Sequence, residues 1–279
     1  MTGILYLVAV PIGNPGDLTP RAVEVLRAAA VVAAEDTRHF ATLARQHDIP
    51  PRAVSYHDHN EEPRSRELLA RLLAGEDVAL VSDAGTPLVN DPGYRLVRAA
   101  IDAGVRVTSL PGASAVTVAL AASGLPPHPF RFMGFLPRTA AARRAAFKAV
   151  AGDDATLIAF EAPRRLADAL RDALAALGDR QACLARNLTK PHERYQRGCL
   201  SKLIEQLETE GEVRGECTLL IAGASESQRS VEEADADARL LVAGGAPARA
   251  VQELLMQRHG LPKRDAYALV LRLRGELGS

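Results

Sequence analysis

Short runs of apolar residues alternate with helix-length stretches of mixed polarity along the first 110 residues of the chain. The apolar runs predict strands at residues 4–10, 31–34, 78–82 and 105–110. The intervening stretches predict a helix from Thr19, with Pro20 at its first position, and further helices at residues 37–47, 64–74 and 94–103. Strands that are apolar throughout and separated by helices are typical of a mainly parallel sheet covered on both faces. The predicted fold class is therefore α/β.

A rigid segment, Pro126-Pro127-His128-Pro129, separates this pattern from a second set of elements. The second set comprises predicted strands at residues 130–136, 156–160, 181–187 and 217–222, with a predicted helix at residues 166–177. A Ser/Glu-rich stretch at residues 224–230 predicts a linker, and helical patterns follow at residues 231–242, 247–258 and 263–272. We therefore expect two α/β domains, residues 1–112 and 113–224, and a small helical tail domain, residues 231–279.

Composition narrows the classes of function. The chain has 34 basic and 34 acidic side chains, so it is not a globally basic nucleic-acid binder, although residues 130–200 carry 13 basic and 7 acidic side chains and can form one positive face. The three cysteines show no CxxC spacing, which argues against a disulfide framework or a zinc site. No apolar run reaches the roughly 20 residues that span a bilayer. We expect a cytoplasmic protein that does not bind membranes.

Several familiar catalytic motifs are absent from the sequence. The chain contains no GxGxxG after its first strand, no GxxxxGK[ST] and no HExxH, which excludes the signatures of dinucleotide-binding, P-loop and zincin proteins. The segment Gly112-Ala113-Ser114-Ala115-Val116 lacks the second glycine of a nucleophile elbow. His57-Asp58-His59 lies in a polar stretch and is interpreted as a loop rather than a metal site. No metal is expected.

Three loops rich in Gly and Pro each follow a predicted strand, and they cover residues 8–19, 81–93 and 110–115. In an open α/β sheet, ligands bind beyond the carboxyl ends of the strands, where such loops collect. Glycine allows the backbone to approach a ligand closely, and proline fixes the shape of a loop before binding. The sequence therefore predicts a ligand site where these loops converge.

These loops carry a family resemblance. The first resembles the opening segment of the tetrapyrrole methylases, and six further segments resemble the branch that 2′-O-methylates a cytidine of small-subunit ribosomal RNA. The segments are Ala34-Glu35-Asp36-Thr37-Arg38-His39, Tyr56-His57-Asp58-His59-Asn60-Glu61, Ser82-Asp83-Ala84-Gly85-Thr86-Pro87, Gly134-Phe135-Leu136-Pro137, Phe160-Glu161-Ala162-Pro163-Arg164-Arg165 and Ala185-Arg186-Asn187-Leu188-Thr189-Lys190. They occur in one order across residues 4–223. Phe160 and Asn187 depart from the branch, which often has Tyr and Glu there.

The resemblance implies a two-domain tetrapyrrole-methylase fold with the active site in the interdomain cleft, and S-adenosylmethionine as methyl donor. Carried over residue by residue, the implied donor contacts are Ile12, Asp83, Thr86, Ser114, Ala115, Phe160, Leu188 and Cys217. A ribose hydroxyl is a poor nucleophile until it loses its proton, so a nearby base should assist. The candidates are Glu35, Asp36, Glu161 and Lys190. Arg38, Arg164 and Arg165 are candidates to hold phosphates.

Simpler structural roles stay open for the acids, since Glu35 or Asp36 can pair with Arg38, and Glu161 can cap a helix that starts near Pro163. The implied partners are 16S ribosomal RNA or the small ribosomal subunit, and a second copy of the chain in a homodimer. Two alternatives remain: a methylase of a tetrapyrrole or other small acceptor on the same fold, and a non-catalytic nucleic-acid-binding protein that acts through its tail.

The tail pattern resembles a helix-turn-helix, with a turn at Gly260-Leu261-Pro262. Residues 245–279 carry six basic and three acidic side chains. The predicted core of the tail is Ala250, Leu254, Leu255, Ala268, Leu269 and Leu271. The side chains predicted to contact phosphates are Arg258, Lys263, Arg264, Arg272 and Arg274. Docking of the tail on the methylase domains, or at a dimer interface, is the alternative.

Overall fold

The computed structural model describes residues 1–211 and 214–277. Its first sheet contains the strands β1 (Ile4–Val8), β2 (Val31–Ala34), β3 (Ala53–Ser55), β4 (Val78–Val81) and β5 (Arg106–Leu110). All four pairings are parallel, in the order β3-β2-β4-β1-β5. The predicted parallel sheet is confirmed. Strand β3 was not predicted, because three half-buried residues carry too little periodicity to be recognised.

Helices cover both faces of this sheet. They are α1 (Pro20–Ala28), α2 (Thr37–Gln46), α3 (Glu61–Leu73) and α4 (Tyr94–Asp102). The start of α1 is fixed as the sequence predicts, since the Thr19 hydroxyl accepts a hydrogen bond from Ala22 N–H at 3.2 Å and Pro20 follows. Neighbouring strand residues enter different cores: Val32 packs with Phe40 on one face, and Ala33 packs with Leu96 on the other. This two-sided burial explains why the strands are apolar throughout.

The second sheet is mixed. Its strands are β6 (Phe130–Phe135), β7 (Thr156–Glu161), β8 (Gln181–Arg186), β9 (Arg194–Cys199) and β10 (Cys217–Ile221), and α5 (Ala115–Ser123), α6 (Ala140–Lys148), α7 (Leu166–Leu177) and α8 (Leu200–Glu210) pack around it. The strand order is β6-β7-β10-β8-β9, in which β6 and β7 are parallel and the other pairs antiparallel. The bounds predicted for α7 are confirmed, whereas α6, β9 and α8 were not predicted.

Helix α5 connects the second sheet to the first loop. Val116 and Leu120 on α5 pack against Ile158 of β7 and Leu220 of β10, and Ile12 from the loop after β1 enters the same buried cluster. Ser114 is the residue before the first turn of α5, but its hydroxyl makes no capping hydrogen bond in the described structure. The cluster holds the carboxyl edge of the first sheet against the second sheet, and this contact positions the site described below.

The tail is a three-helix unit made of α9 (Glu226–Ala243), α10 (Ala248–His259) and α11 (Lys263–Leu277). The linker predicted at residues 224–230 is wrong from residue 226 onward, because α9 begins at Glu226. The predicted core is also wrong in part: Ala250, Ala268 and Leu271 are exposed, because α9 packs on the opposite faces of α10 and α11. The observed core is Ala234, Ala238, Val251, Leu255, Ala266, Val270 and Leu273.

Most of the tail arginines predicted to contact phosphates are paired with acids of the tail itself. Arg258 lies 3.2 Å from Asp237, Arg264 lies 3.3 Å from Asp265, and Arg272 pairs with Asp235. The guanidinium of Arg274 donates to the carbonyl oxygen of Ala246 at 2.7 Å. Across residues 1–211 and 214–277, no helix is long and apolar enough to cross a membrane.

Candidate active site

The three Gly/Pro loops meet at the carboxyl edge of the first sheet. Val10 N–H donates to the carbonyl oxygen of Gly85 at 2.9 Å, and Gly85 N–H donates back to Val10 at 3.0 Å. The Thr86 hydroxyl donates to the carbonyl oxygen of Ala113 at 3.1 Å. The loop after β4 is thus bonded to the loops after β1 and β5. Because these strands are neighbours in a parallel sheet, the predicted convergence of the three loops is confirmed.

Two glycines are required by this arrangement. Gly85 has a φ of +79°, and a Cβ placed there would lie 3.2 Å from Cγ2 of Ile12. A Cβ on Gly112 would lie 2.7 Å from the Cβ of Ala9, which is closer than real Cβ atoms come. Larger residues would force the loops apart, so these positions explain the glycines that stand out in the sequence.

A cavity of about 360 Å³ lies between the loops and the second sheet. The first domain contributes strand-end loops, and the second domain contributes the start of α5 and the ends of β6, β7 and β10. The lining residues from the first domain and α5 include Ile12, Glu35, Asp83, Thr86, Val89, Asn90, Asp91, Ser114 and Ala115. Those from the second domain include Phe135, Phe160, Glu161, Glu216, Cys217 and Thr218. The cavity is therefore shared between both sheets.

The residues implied as donor contacts are brought together here. Ile12, Asp83, Thr86, Ser114, Ala115, Phe160 and Cys217 all line the cavity. Leu188 does not, but it is buried beside Ile12 in the cluster beneath the cavity floor. Burial raises the pKa of the Cys217 thiol to about 11, so this thiol is protonated and acts as an apolar wall.

Carboxylates gather at one corner of the cavity. Asp83 accepts a hydrogen bond from Asp36 N–H at 2.9 Å, and Glu35 accepts one from Asp83 N–H at 3.4 Å. Burial, together with the charges of Asp83 and Asp58, raises the pKa of Glu35. Burial and the nearby charge of Glu35 raise the pKa of Asp91 to about 6. The negative charges at this corner repel one another, so the corner attracts a positively charged ligand.

Glu161 is held in a different way. Its side chain is fully buried, accepts from Ala162 N–H at 2.7 Å and pairs with Arg165 at 3.1 Å. Burial raises the pKa of Glu161, and the charges of Arg165 and Arg143 oppose that shift. The guanidinium of Arg165 also donates to the carbonyl oxygens of Leu136 and Pro137. Arg165 therefore ties β7 to the segment after β6, and its contact with phosphate stays a prediction.

The other predicted residues lie outside the cavity lining. Asp36 caps α2 through Arg38 N–H at 2.8 Å, and its other oxygen lies 2.8 Å from the exposed Arg38 guanidinium. Lys190 lies 2.9 Å from Glu216, which does line the cavity. Arg164 is exposed just after β7. The catalytic roles of Asp36 and Lys190 and the phosphate contacts of Arg38 and Arg164 stay predictions.

The cavity-lining residues that sequence reasoning missed include Val89, Asn90, Asp91 and Phe135. The first three lie in or directly after the backbone reversal in the loop after β4, where Leu88 and Asn90 have φ values of +70° and +73°. A leucine at positive φ is uncommon and indicates that the surrounding structure imposes the conformation. All four residues lie in or beside segments that stand out in the sequence, but the motifs alone do not show which side chains face a cavity.

The His57-Asp58-His59 segment forms a turn before α3, where His57 N–H donates to Asn60 at 2.9 Å. Among the residues that the structure describes, no group of three or more His, Cys, Asp or Glu side chains is arranged to hold a metal ion. The segment forms a polar turn, and the expectation that it holds no metal stays a prediction.

A sequence model of the tetrapyrrole (corrin/porphyrin) methylases matches residues 4–204. The chain belongs to the tetrapyrrole methylase family. A relative from Micromonospora olivasterospora, named ribosomal RNA small subunit methyltransferase I, is 56% identical over 272 residues, covering 96% of this chain and 87% of the relative. A relative of the same name from Escherichia coli O157:H7 is 42% identical, covering 98% of this methylase and 96% of the relative.

Solved structures of other methylases share the fold. A diphthine synthase superposes with a TM-score of 0.62 at 18% identity, covering 79% of this methylase and 90% of that chain. The two α/β sheets with the cavity between them are the tetrapyrrole-methylase architecture that the sequence predicts, and a helical tail follows them. At this identity the likeness shows the fold alone.

Proposed function

We propose that this methylase transfers a methyl group from S-adenosylmethionine to the 2′-hydroxyl of a cytidine in 16S ribosomal RNA. The observation that carries the proposal is the 56% identity, over nearly the whole chain, to a protein named ribosomal RNA small subunit methyltransferase I. Solved structures of uroporphyrin-III C-methyltransferases reach 23–24% identity, which gives the small-acceptor alternative much weaker support.

The cavity fits the proposed donor. Its volume of about 360 Å³ lies within the usual range of roughly 300–1,000 Å³ for small-molecule sites. The acidic corner of Glu35, Asp83 and Asp91 matches a ligand that carries sulfonium and ammonium charges, and Gly85 lets the loop backbone approach it closely. When bound, the donor supplies an electrophilic methyl carbon on a good leaving group. The task of the protein is then to bring the acceptor oxygen into line with that carbon.

Glu35 is the candidate base that the geometry favours. Glu161 is tied by the short bond from Ala162 N–H and by Arg165, so its oxygens are already engaged. Glu35 lines the cavity and, among the residues that the structure describes, accepts a single long hydrogen bond, from Asp83 N–H at 3.4 Å. Burial raises the pKa of Glu35 toward neutral pH, and a general base works best when its pKa is near the operating pH. Glu35 would take the proton from the ribose hydroxyl as the oxygen attacks.

The RNA is proposed to approach from the side on which both domains expose arginines. Arg38 follows the end of β2 in the first domain, and Arg164 follows the end of β7 in the second. An exposed guanidinium binds phosphate oxygens through two parallel hydrogen bonds. The proposed substrate is 16S ribosomal RNA, free or within the small ribosomal subunit. The enzyme is proposed to be a homodimer in the cytoplasm.

The test is a methylation assay with purified protein, methyl-labelled S-adenosylmethionine, and small ribosomal subunits or free 16S RNA from cells that lack the gene. We expect one added methyl group per RNA, located by mass spectrometry of nuclease fragments on the ribose of a cytidine. The Glu35→Gln variant should bind the donor and lose turnover by about 10²–10⁴-fold. Label that appears on a base, on another nucleotide or on no RNA would contradict the proposal.

A further inference from the structure

Phe135 stays 59% exposed although it is a large apolar side chain that lines the cavity. Val89, from the loop after β4, also lines the cavity and is 37% exposed. Ile12, by contrast, lines the cavity and is buried, so the cavity is closed on that side. Exposed apolar side chains at the rim of a cavity indicate a surface that a further ligand covers.

The exposure of Phe135 is built into the backbone. The pairing of β6 with β7 shifts register between Phe132 and Phe135, and Gly134 in the shifted segment has a φ of +68°. Such bulges redirect a side chain and are common beside active sites. A Cβ on Gly134 would lie 2.8 Å from Oδ1 of Asn90, so the bulge is packed directly against the loop of the first domain.

The ring of Phe135 is braced from one side. It meets the ring of Phe160 edge to face, with centroids 5.5 Å apart, and Phe160 meets Phe132 in the same way at 4.9 Å. The brace restricts the ring while leaving more than half of the side chain open. A held, exposed ring inside a cavity is suited to stack on a flat π-system, such as a nucleobase.

Asn90 lies next to Gly134, the residue before Phe135, and its side-chain amide can hydrogen-bond the edge of a base. It lines the cavity, is exposed, and occupies φ +73°, a conformation that asparagine tolerates. A side-chain amide offers both a donor and an acceptor, as a nucleobase edge requires. The methyl donor's own adenine is flat as well, but small ligands are largely enclosed by their sites, whereas a rim position faces the substrate that arrives from solvent.

We propose that Phe135 and Asn90 form the subsite for the acceptor nucleobase, in which Phe135 stacks on its face and Asn90 hydrogen-bonds its edge. The inference rests on the proposed function and adds to it the residues that hold the base. The two residues come from different domains, so the subsite exists only where the bulge of β6 meets the loop after β4. Stacking there would hold the attached ribose at the cavity mouth.

The test compares Phe135→Ala, Phe135→Leu and Phe135→Tyr with the unaltered protein. Donor affinity is measured by calorimetric titration with S-adenosylmethionine, and KM and kcat are measured on small subunits or free 16S RNA, whichever the unaltered protein methylates. Loss of stacking should raise KM for RNA by about 10- to 100-fold in the Ala variant. The Leu variant should behave like Ala, because it keeps apolar volume without a π-face. The Tyr variant should remain near the unaltered protein.

Phe130→Ala is the matched control, because Phe130 is an exposed phenylalanine on the same strand, outside the cavity lining. Its KM should not change. Asn90→Gly keeps the positive φ and deletes the amide, and it should raise KM for RNA by about fivefold. Donor affinity should stay within about twofold in every variant.

The outcomes separate the subsite from the function. If the unaltered protein methylates the RNA and Phe135→Ala keeps the same KM, the subsite is wrong and the function stands. If Phe135→Ala weakens donor binding as much as RNA use, Phe135 is a wall of the donor site and the inference fails. If the unaltered protein methylates no RNA, the proposed function fails first.

Discussion

The two sides of the cavity are built by different means. On the first-domain side, the loops are joined by backbone hydrogen bonds, such as the Val10–Gly85 pair, and by the Thr86 hydroxyl on a backbone carbonyl. On the second-domain side, the wall consists of side chains held by ring contacts and by the buried Glu161–Arg165 pair. The first side should therefore be sensitive to added volume at glycines, and the second to the loss of particular side chains.

The largest effect is expected from Glu161→Ala, which removes one partner of the buried pair on the second-domain side. The Glu161 side chain has no exposed surface, so Arg165 would lose its counter-charge in a poorly solvated place. The free energy of unfolding should fall by about 3 kcal/mol, as for other broken buried pairs. Urea denaturation measures it. Glu161→Gln, which keeps an acceptor for Ala162 N–H, should lose less. A loss below about 1 kcal/mol in the Ala variant would show that side-chain pairing does not hold this wall.

Asp83→Ala should weaken donor binding without unfolding the protein. Its carboxylate faces the cavity and accepts from Asp36 N–H, so the variant loses both charge and a loop contact. Affinity for S-adenosylmethionine should fall by about 10- to 100-fold, which matches the loss of a charged hydrogen bond. Calorimetric titration measures the affinity. Asp83→Asn keeps the acceptor and removes the charge, and so separates the two contributions. Unchanged affinity in both variants would remove Asp83 from the donor site.

Gly85→Ala tests the sensitivity of the first-domain side to added volume. The positive φ should lower the free energy of unfolding by about 1–2 kcal/mol. The new Cβ, 3.2 Å from Ile12, should also shift the loop and weaken donor binding by about tenfold. Gly104→Ala is the control, because Gly104 has a φ of +72° and a Cβ there would meet no atom within 4 Å. It should show a similar loss of stability with normal donor affinity. Equal donor affinity in both variants would contradict the comparison.

The smallest effect concerns pH and Asp91. Because burial raises its pKa from 3.8 to about 6, the folded chain binds this proton more tightly than the unfolded chain does. The stability contributed by the protonated carboxyl is fully present below about pH 4 and is lost as pH rises through 6. Asp91→Asn should therefore match the unaltered protein at pH 4 and exceed its unfolding free energy at pH 8 by about 1–2 kcal/mol, after allowance for partial exposure. A constant difference between these pH values would contradict it.

The difference between the two sides of the cavity also explains which features were predictable from the sequence. Glycine and proline mark the loops of the first-domain side, so their convergence was predictable from the rule that loops after parallel strands collect at one edge of the sheet. Asp83 and Thr86 lie within one of these loops, at residues 81–93. Asp91 lies in the same loop, but its position depends on the positive φ angles of Leu88 and Asn90. No local sequence pattern predicts this reversal of the backbone.

The second-domain side was less predictable. The cavity position of Phe135 depends on a register shift that appears only once β6 pairs with β7. Helix α6 is rich in alanine and begins after a capping Thr139, so its signal was present in the sequence and was missed. Strand β9 lies at the edge of the second sheet and is rich in polar residues. Its composition therefore resembles that of a loop.

The paired arginines of the tail bear on how ionic strength acts on RNA binding. A cationic side chain makes binding salt-dependent when phosphate neutralisation releases counterions from the RNA. Arg258 and Arg272 already face Asp237 and Asp235, so a phosphate must compete with a carboxylate for each of them. The net charge that the tail brings to RNA is thus smaller than its count of arginines indicates. Removing residues 226–279 should leave the slope of log affinity against log salt nearly unchanged, and a slope flattened by several units would show that these pairs open on RNA.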